Sequence, residues 1–111
     1  MEYIQYEEFK KLDIRVGTVL SAEPVEGADK LLKCMVDVGE EEPRQIVSGI
    51  REFVGDGDEI VGRQLLYVLN LEPRTIRGVE SRGMLLAVDA PDDTPAFLIP
   101  EKKVLGGAKM R

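Results

Sequence analysis

The chain has 111 residues and a formal net charge of −6 at pH 7, which bounds it to one acidic domain with a single core, residues 1–111. Apolar residues make up 43% and aromatic residues 5%, so the expected core is aliphatic and covered by a charged surface. The lack of histidine excludes histidine-based triads and imidazole metal ligands, and the single cysteine, Cys34, excludes an internal disulfide and a cysteine-based zinc site.

The first half of the chain predicts three strands. Residues 11–25 alternate with period two, placing on one face Leu12, Ile14, Val16, Thr18, Leu20 and Ala22. They predict a long strand that ends at Pro24 and bends or bulges at Gly17. Residues 31–39 and 44–50 flank an acidic turn and predict a hairpin in which Cys34 is buried.

The second half predicts two further strands and a tail. Residues 51–62 break the alternation and indicate a short helical or irregular link, while residues 63–71 and 83–88 predict a fourth and a fifth strand. Short extended pieces follow around Pro100 and Gly106. Together these elements predict an all-β, five-stranded OB-fold Greek-key barrel with short extra C-terminal strands, and a two-sheet sandwich is the alternative.

Basic residues are concentrated in two segments of this acidic chain. Residues 63–82 carry four arginines against two acids, and residues 30–51 supply Lys30, Lys33, Arg44 and Arg51. If the connection between strands four and five folds over strands two and three, these bases converge on the face that OB folds use for oligonucleotides. The alternative is that the arginines form ordinary surface ion pairs.

Enzymatic and membrane functions are disfavoured. The carboxylates occur mostly in solvated runs such as GEEEP (39–43) and GDGDE (55–59), which lack the spacing of a calcium loop. We therefore expect no catalytic site, no metal and no cofactor. No apolar run approaches the ~18 residues of a membrane helix, and the polar start is unlike a signal peptide, so we expect a cytoplasmic protein.

Several motifs occur in one order across almost the whole chain: ADKL (28–31), VSG (47–49), NLEPR (70–74) and RGVESRGMLLA (77–87). In this order the sequence resembles the tRNA-binding domain that is appended to methionyl-tRNA synthetases and also occurs as free-standing proteins. The resemblance implies an OB fold, a homodimer and shape-directed tRNA binding without catalysis. It also implies a partnership with a synthetase core, whose tRNA affinity the domain would raise.

The resemblance places the tRNA-binding surface on particular side chains. Position by position these are Lys30, Lys33, Asn70, Arg74, Arg77, Ser81 and Met84. Charge alone adds Arg44 and Arg82, whereas Gly78 and Gly83 are predicted to be structural. Alternatives stay open: Met84 is core or a platform for a base, Ser81 a cap or a phosphate ligand, and Asn70 a turn former or a contact.

Two further features bear on affinity and assembly. Glu26 and Gly27 replace the His-Pro-Asn common before this Ala in the family, which predicts weaker binding, partly offset by Arg82. The apolar tail predicts a homodimer interface, formed together with the N-terminal YIQYEEF, by Phe97, Leu98, Ile99, Val104 and Leu105. Other functions compatible with the sequence are a CsaA-like export chaperone and a dimerisation module with vestigial RNA contacts.

Overall fold

The computed structural model describes all residues, 1–111, and consists mainly of short strands. The elements are α1 (Tyr6–Lys10), β1 (Ile14–Val25), β2 (Ala28–Asp37), β3 (Arg44–Ser48), α2 (Arg51–Val54), a 3-10 turn (Asp58–Ile60), β4 (Gln64–Val68), β5 (Arg74–Ile76), β6 (Val79–Ser81), β7 (Met84–Leu85), β8 (Ala87–Asp89) and β9 (Pro95–Phe97). The predicted helical link after the third strand is confirmed.

Five strands form one antiparallel sheet in the order β3-β2-β1-β4-β7, flanked by two two-stranded ribbons, β5-β6 and β8-β9. This order confirms the predicted all-β, OB-like arrangement, and the predicted hairpin of the second and third strands corresponds to β2 and β3. The ladder is not closed between β3 and β7. There the Arg82 amide donates to the Gln45 carbonyl, so the end of β6 lies along the outer edge of β3 without forming a strand ladder with it.

The main core lies inside this curved sheet and is aliphatic, as the composition predicts. Eleven buried side chains form it: Val19, Leu32, Cys34, Val36, Val38, Ile46, Ile50, Ile60, Leu65, Tyr67 and Leu69. Cys34 is buried as expected, and burial raises the pKa of its thiol to about 11, so the thiol stays protonated near neutral pH.

Three details of β1 differ from the prediction. The predicted bulge at Gly17 is wrong, because Gly17 pairs regularly with Leu65 and the irregularity lies between Val19 and Ser21. Before this bulge, Gly17 and Val19 already share the face that points to Val36 and Tyr67 of the core, so Val19 is 1% exposed. Leu20, predicted on the Ile14 face, is 49% exposed. Glycine is needed at position 17 for packing, since a Cβ there would lie 2.9 Å from the Tyr67 ring.

Pro24 does not end β1, contrary to the prediction. The strand continues to Val25, and Pro24 pairs with Leu32 of β2. Because β4 pairs with β1 only from Ile14 to Thr18, Pro24 has a neighbouring strand on one side alone. A residue without an N–H is tolerated at such an edge.

The predicted fifth strand and tail also need correction. Residues 83–88 form two strands, with Met84–Leu85 in the sheet and Ala87–Asp89 paired with Pro95–Phe97. The end of the tail pairs with β1 of the same chain, since the Val16 amide donates to Ala108 and the Met110 amide donates to Ile14. The main chain of the tail is therefore partnered within one molecule. No helix in the structure has the length and apolar character needed to cross a membrane.

Candidate functional site

The connection between β4 and β7 forms the β5-β6 hairpin, which the sequence interpretation treated as a loop. Ile76 pairs with Val79, which leaves Arg77 and Gly78 as a two-residue turn with φ of 51° and 79°. Positive φ at both positions is typical of a type I′ turn, which prefers Asn, Asp or Gly. Arginine in this left-handed conformation is less stable than glycine by on the order of 1 kcal/mol. The turn therefore carries at its apex a side chain that does not favour the turn itself.

A small apolar cluster docks the hairpin on the sheet. Val25, Ala28 and Val47 are buried together, and Ile76 and Val79 of the hairpin pack against them. These contacts bring the hairpin turn next to the turn between β1 and β2. The ADKL and RGVE motifs, 46 or more residues apart in sequence, therefore become neighbours.

Lys30 and Arg77 consequently line the same concave surface, of about 380 Å³, together with Asp29. Both side chains are exposed. Ion pairs in the structure are limited to three, Arg15–Asp13, Lys33–Glu23 and Arg44–Glu40. The charges of Lys30 and Arg77 are thus not neutralised by a carboxylate in contact.

A groove of about 290 Å³ runs beside the hairpin, between the end of β3 and β7. Its lining is mainly apolar and includes Met84 and Leu71, which are 45% and 44% exposed. Arg74 lies at the same groove, is exposed and is free of ion pairs. The groove therefore combines an apolar surface with a free guanidinium, an arrangement able to hold a planar apolar group next to an anion. We call Lys30, Arg74, Arg77 and Arg82, which is also exposed and unpaired, the free cations.

Three predicted site residues form hydrogen bonds with other parts of the protein. Ser81 is 4% exposed, and its hydroxyl accepts from the Val47 amide at 2.9 Å and donates to the Gly83 carbonyl at 3.1 Å. Asn70 accepts from the Asp13 amide and donates to the Lys11 carbonyl, which ties the N-terminal segment to the end of β4. Their side chains fix the chain in position.

Arg44 is the third of these residues. Its side chain is 16% exposed and forms a two-point ion pair with Glu40, with N–O distances of 2.7 and 2.8 Å. This pairing raises the pKa of Arg44 and lowers the pKa of Glu40. Lys33 is intermediate between these engaged residues and the free cations. Its ammonium is 2.7 Å from a carboxylate oxygen of Glu23, but the Glu23 side chain is largely exposed.

Sequence reasoning missed two residues at this site. Gln45 donates its side-chain amide to the Glu80 carbonyl at 2.8 Å and so holds the hairpin from β3. Leu71 adds apolar surface to the groove opposite the predicted Met84. The RG dipeptide between Ile76 and Val79 was a usable signal for a two-residue hairpin, whereas nothing in the sequence marks Gln45.

Comparison with known proteins identifies what the chain is similar to. A family model described as a putative tRNA binding domain matches residues 14–109. The methionine–tRNA ligases of Methanothrix thermoacetophila and Methanosarcina mazei are 53% and 46% identical to the chain over 108 residues. That match covers 97% of this chain but only 16% and 15% of those enzymes, so the chain spans about a sixth of their length.

Solved structures show the same fold. A MetRS related protein from Pyrococcus horikoshii superposes with a TM-score of 0.90 and 35% identity, covering all of both chains. The chaperone CsaA from Bacillus anthracis superposes with a TM-score of 0.87 and 24% identity, covering 99% of this chain and all of the other. At that identity the second likeness establishes the fold alone.

Proposed function

This chain belongs to the putative tRNA-binding domain family, and we propose that it binds tRNA without catalysis, using the free cations and the groove beside them. The observation that carries the proposal is the convergence of Lys30 and Arg77 on one concave surface with no carboxylate in contact. In a chain with 21 acids and 15 bases, unpaired cations gathered at one place form a local positive site.

Phosphate is the ligand that this chemistry fits. Guanidinium and ammonium groups bind phosphate oxygens well, and such contacts carry no base information. The binding we propose therefore reads the shape of tRNA and not its sequence. Because the net charge is −6, affinity should be modest and should fall steeply with added salt.

The backbone at Arg77 supports this assignment. A residue held at φ 51° in a two-residue turn is less stable than Asn or Gly would be there. The exposed arginine makes no ion pair that would offset this cost. A role in ligand binding accounts for its presence.

Not every residue implied by the resemblance has the same role in this proposal. The free cations contact phosphates, Met84 supports a ribose or base in the groove, and Lys33 joins by exchanging Glu23 for a phosphate. Arg44, Asn70 and Ser81 hold the surface in position. The glutamate and glycine at 26 and 27 add no cation, consistent with weaker binding than the family pattern implies.

The wider role we propose is that of an accessory domain. Acting in the cytoplasm, it would raise the effective concentration of tRNA near the catalytic core of a methionyl-tRNA synthetase. Support comes from the ligases matched over a sixth of their length and from the MetRS related protein of the same size. Whether linked covalently or as a subunit, the domain would add binding energy and no chemistry.

The test is tRNA binding by fluorescence anisotropy over a range of salt concentrations. We expect the Lys30→Ala/Arg74→Ala/Arg77→Ala variant to bind more weakly, with the slope of log K against log salt reduced by about 2 to 3. A matched control removes three exposed, unpaired bases elsewhere, Arg63, Lys102 and Lys103. That control should keep most of the wild-type slope.

Other outcomes favour the alternatives. Equal losses in the two triple variants would indicate non-specific attraction and overturn the assignment of the surface. Failure of the wild type to bind tRNA at low salt, with binding of an unfolded polypeptide in its place, would favour the CsaA-like chaperone function. Binding of neither ligand by a stable dimer would favour a dimerisation module.

We also propose that the protein is a homodimer. Helix α1 buries no residue, and the N-terminal Tyr3 is 87% exposed. In the tail, Leu98, Ile99 and Leu105 are exposed, whereas Phe97 and Val104 are half buried in their own chain. Such unburied apolar side chains at the N-terminal segment and in the tail are suited to an isologous interface.

Substitution of Leu105, which is 85% exposed, tests the dimer without disturbing the paired main chain of the tail. We expect Leu105→Glu to sediment as a folded monomer, since a charge would be buried at the two-fold axis. The control is Val88→Glu, an equally charged change at an exposed apolar residue of β8. A monomeric wild type, or a Leu105→Glu dimer, would contradict the proposal.

A further inference from the structure

Arg44 contacts both ends of the hairpin that carries Arg74 and Arg77. Its Nη1 donates to the Leu69 carbonyl at 2.7 Å and to the Arg82 carbonyl at 3.1 Å. Leu69 directly precedes the connection that contains β5 and β6, and Arg82 directly follows β6. One guanidinium nitrogen therefore holds together the two points where the hairpin leaves and rejoins the sheet.

Glu40 fixes the rest of the same guanidinium. Its two carboxylate oxygens accept from Arg44 Nε at 2.7 Å and from Nη2 at 2.8 Å, which orients Nη1 toward the two carbonyls. The planar fork of arginine can satisfy a carboxylate and two carbonyls together, which the single ammonium of lysine cannot do in this geometry. Glu40 also lies in the field of Arg15 and Arg82, which stabilises its charged form.

These contacts use the outer edge of β3, where the ladder of the sheet is open. Two neighbours on the same strand continue the attachment, because Gln45 binds the Glu80 carbonyl and the Val47 amide binds Ser81. We call the set Arg44, Gln45, Val47 and Ser81 the stem contacts. The hairpin is thus attached to β3 by these hydrogen bonds and by its apolar cluster, and not by a strand ladder.

We propose that Glu40 and Arg44 are positioning residues for tRNA binding: the carboxylate orients the guanidinium, and the guanidinium fixes the hairpin so that Arg74 and Arg77 meet phosphates together with Lys30. The inference rests on the proposed function. Charge repulsion alone predicts that a carboxylate close to the RNA-binding surface weakens tRNA binding. The proposal predicts that Glu40 strengthens it.

Glu40→Gln is the decisive variant. Removal of a carboxylate near phosphates should strengthen binding if charge alone matters. If Glu40 orients Arg44, tRNA binding should instead weaken by roughly 10-fold, because an amide cannot replace the charge-assisted two-point contact. Glu41→Gln and Glu42→Gln are matched controls, since they remove the same charge from the same exposed turn without a contact to Arg44.

Arg44→Lys separates positioning from direct phosphate contact. A lysine that contacts phosphate would keep most of the affinity and of the salt slope. If Arg44 acts by positioning the hairpin, lysine cannot bind Glu40 and the two carbonyls together, and the affinity for tRNA should fall to about that of Arg44→Ala. Equal binding by wild type and Arg44→Lys would overturn the inference, as would tighter binding by Glu40→Gln than by Glu41→Gln.

Hydrogen exchange of the free protein keeps this test independent of tRNA. Glu40→Gln and Arg44→Lys should exchange the amides of residues 74–82 faster than wild type, while Glu41→Gln should not. If these amides exchange at the wild-type rate in all variants, Glu40 and Arg44 do not fix the hairpin, even if tRNA binds. If the two variants exchange faster but the wild type binds no tRNA, Glu40 and Arg44 fix the hairpin and the proposed function is wrong.

Discussion

Arg44 and Arg77 are both arginines in basic segments, yet they lie in two regions of opposite character. Arg44 belongs to the stem contacts, where it is 16% exposed and all of its observed hydrogen bonds are to the protein. Arg77 lies at the apex of the hairpin, exposed and without an ion pair, on a strained backbone. The difference shows that the fold can hold one basic residue in internal contacts and leave another in the same kind of segment without an ion pair.

The comparison gives each region a separate signature. Changes at the stem should alter the free energy of unfolding and affect tRNA through the position of the hairpin. Changes at the free cations should leave the fold stable and alter binding and its salt dependence.

Ser81→Ala should have the largest effect on stability. It leaves the buried Val47 amide without an acceptor, so the free energy of unfolding should fall by about 1 to 3 kcal/mol. Urea denaturation measures the change. Thr75→Ala, an exposed position on the same hairpin, is the control and should cost at most about 0.5 kcal/mol. Equal costs would mean that the Ser81 hydroxyl is not a stem contact.

Arg77→Asn should separate stability from binding. Asn adopts positive φ more readily than arginine, so the free energy of unfolding should rise by up to about 1 kcal/mol. tRNA binding should weaken, with a smaller salt slope. Arg74→Asn, at a position in β5 without positive φ, should lose binding and gain no stability. A variant at Arg77 that gains stability and binds normally would remove Arg77 from the interface.

Met84 tests the apolar part of the surface. Because Met84 is uncharged and half exposed at the groove, Met84→Ala should weaken tRNA binding by roughly 3-fold to 10-fold with the salt slope unchanged. Met84→Leu should retain binding. If Met84→Ala mainly lowers the free energy of unfolding, the residue is core and the groove does not hold a base or ribose.

How far the sequence predicts the structure depends on whether the signal is local. The alternation in β1 and β2 predicted those strands because side-chain direction alone determines it, and the apolar run of residues 63–71 predicted β4. The bulge after Val19 was not predictable, since the apolar pattern runs through it without interruption, and the pattern does not show that the main core lies on the Gly17 and Val19 face. The β5-β6 hairpin has three-residue strands, too short to show a period.

The site divides in the same way. Motifs at family spacing indicated which segments converge, and Lys30 and Arg77 do line one surface. Sequence could not distinguish Arg44 from Arg74, because the difference lies in Glu40, Leu69 and Arg82, which meet Arg44 only after folding. Residue type therefore predicts the chemistry available, and tertiary contacts decide which side chains can offer it to a ligand.

The smallest expected effect concerns acid and the Glu40–Arg44 pair. Bonding to Arg44 lowers the pKa of Glu40 in the folded protein relative to the unfolded chain. The pair therefore contributes stability above the unfolded pKa, about 4.3, and loses it as pH falls through the lower folded value. The contribution is at most about 0.5 kcal/mol, because the Glu40 side chain is 37% exposed and solvent screens the pair.

Urea midpoints at pH 7 and pH 3 measure this term as a difference between variants. Glu40→Gln should lose less stability on acidification than Glu41→Gln, because only Glu41→Gln retains the Glu40–Arg44 pair. Asp13, whose pKa Arg15 lowers in the same way, remains in both proteins and cancels from the comparison. An identical acid response in the two variants would mean that the ion pair at the stem holds the hairpin by geometry alone and adds no measurable electrostatic stability.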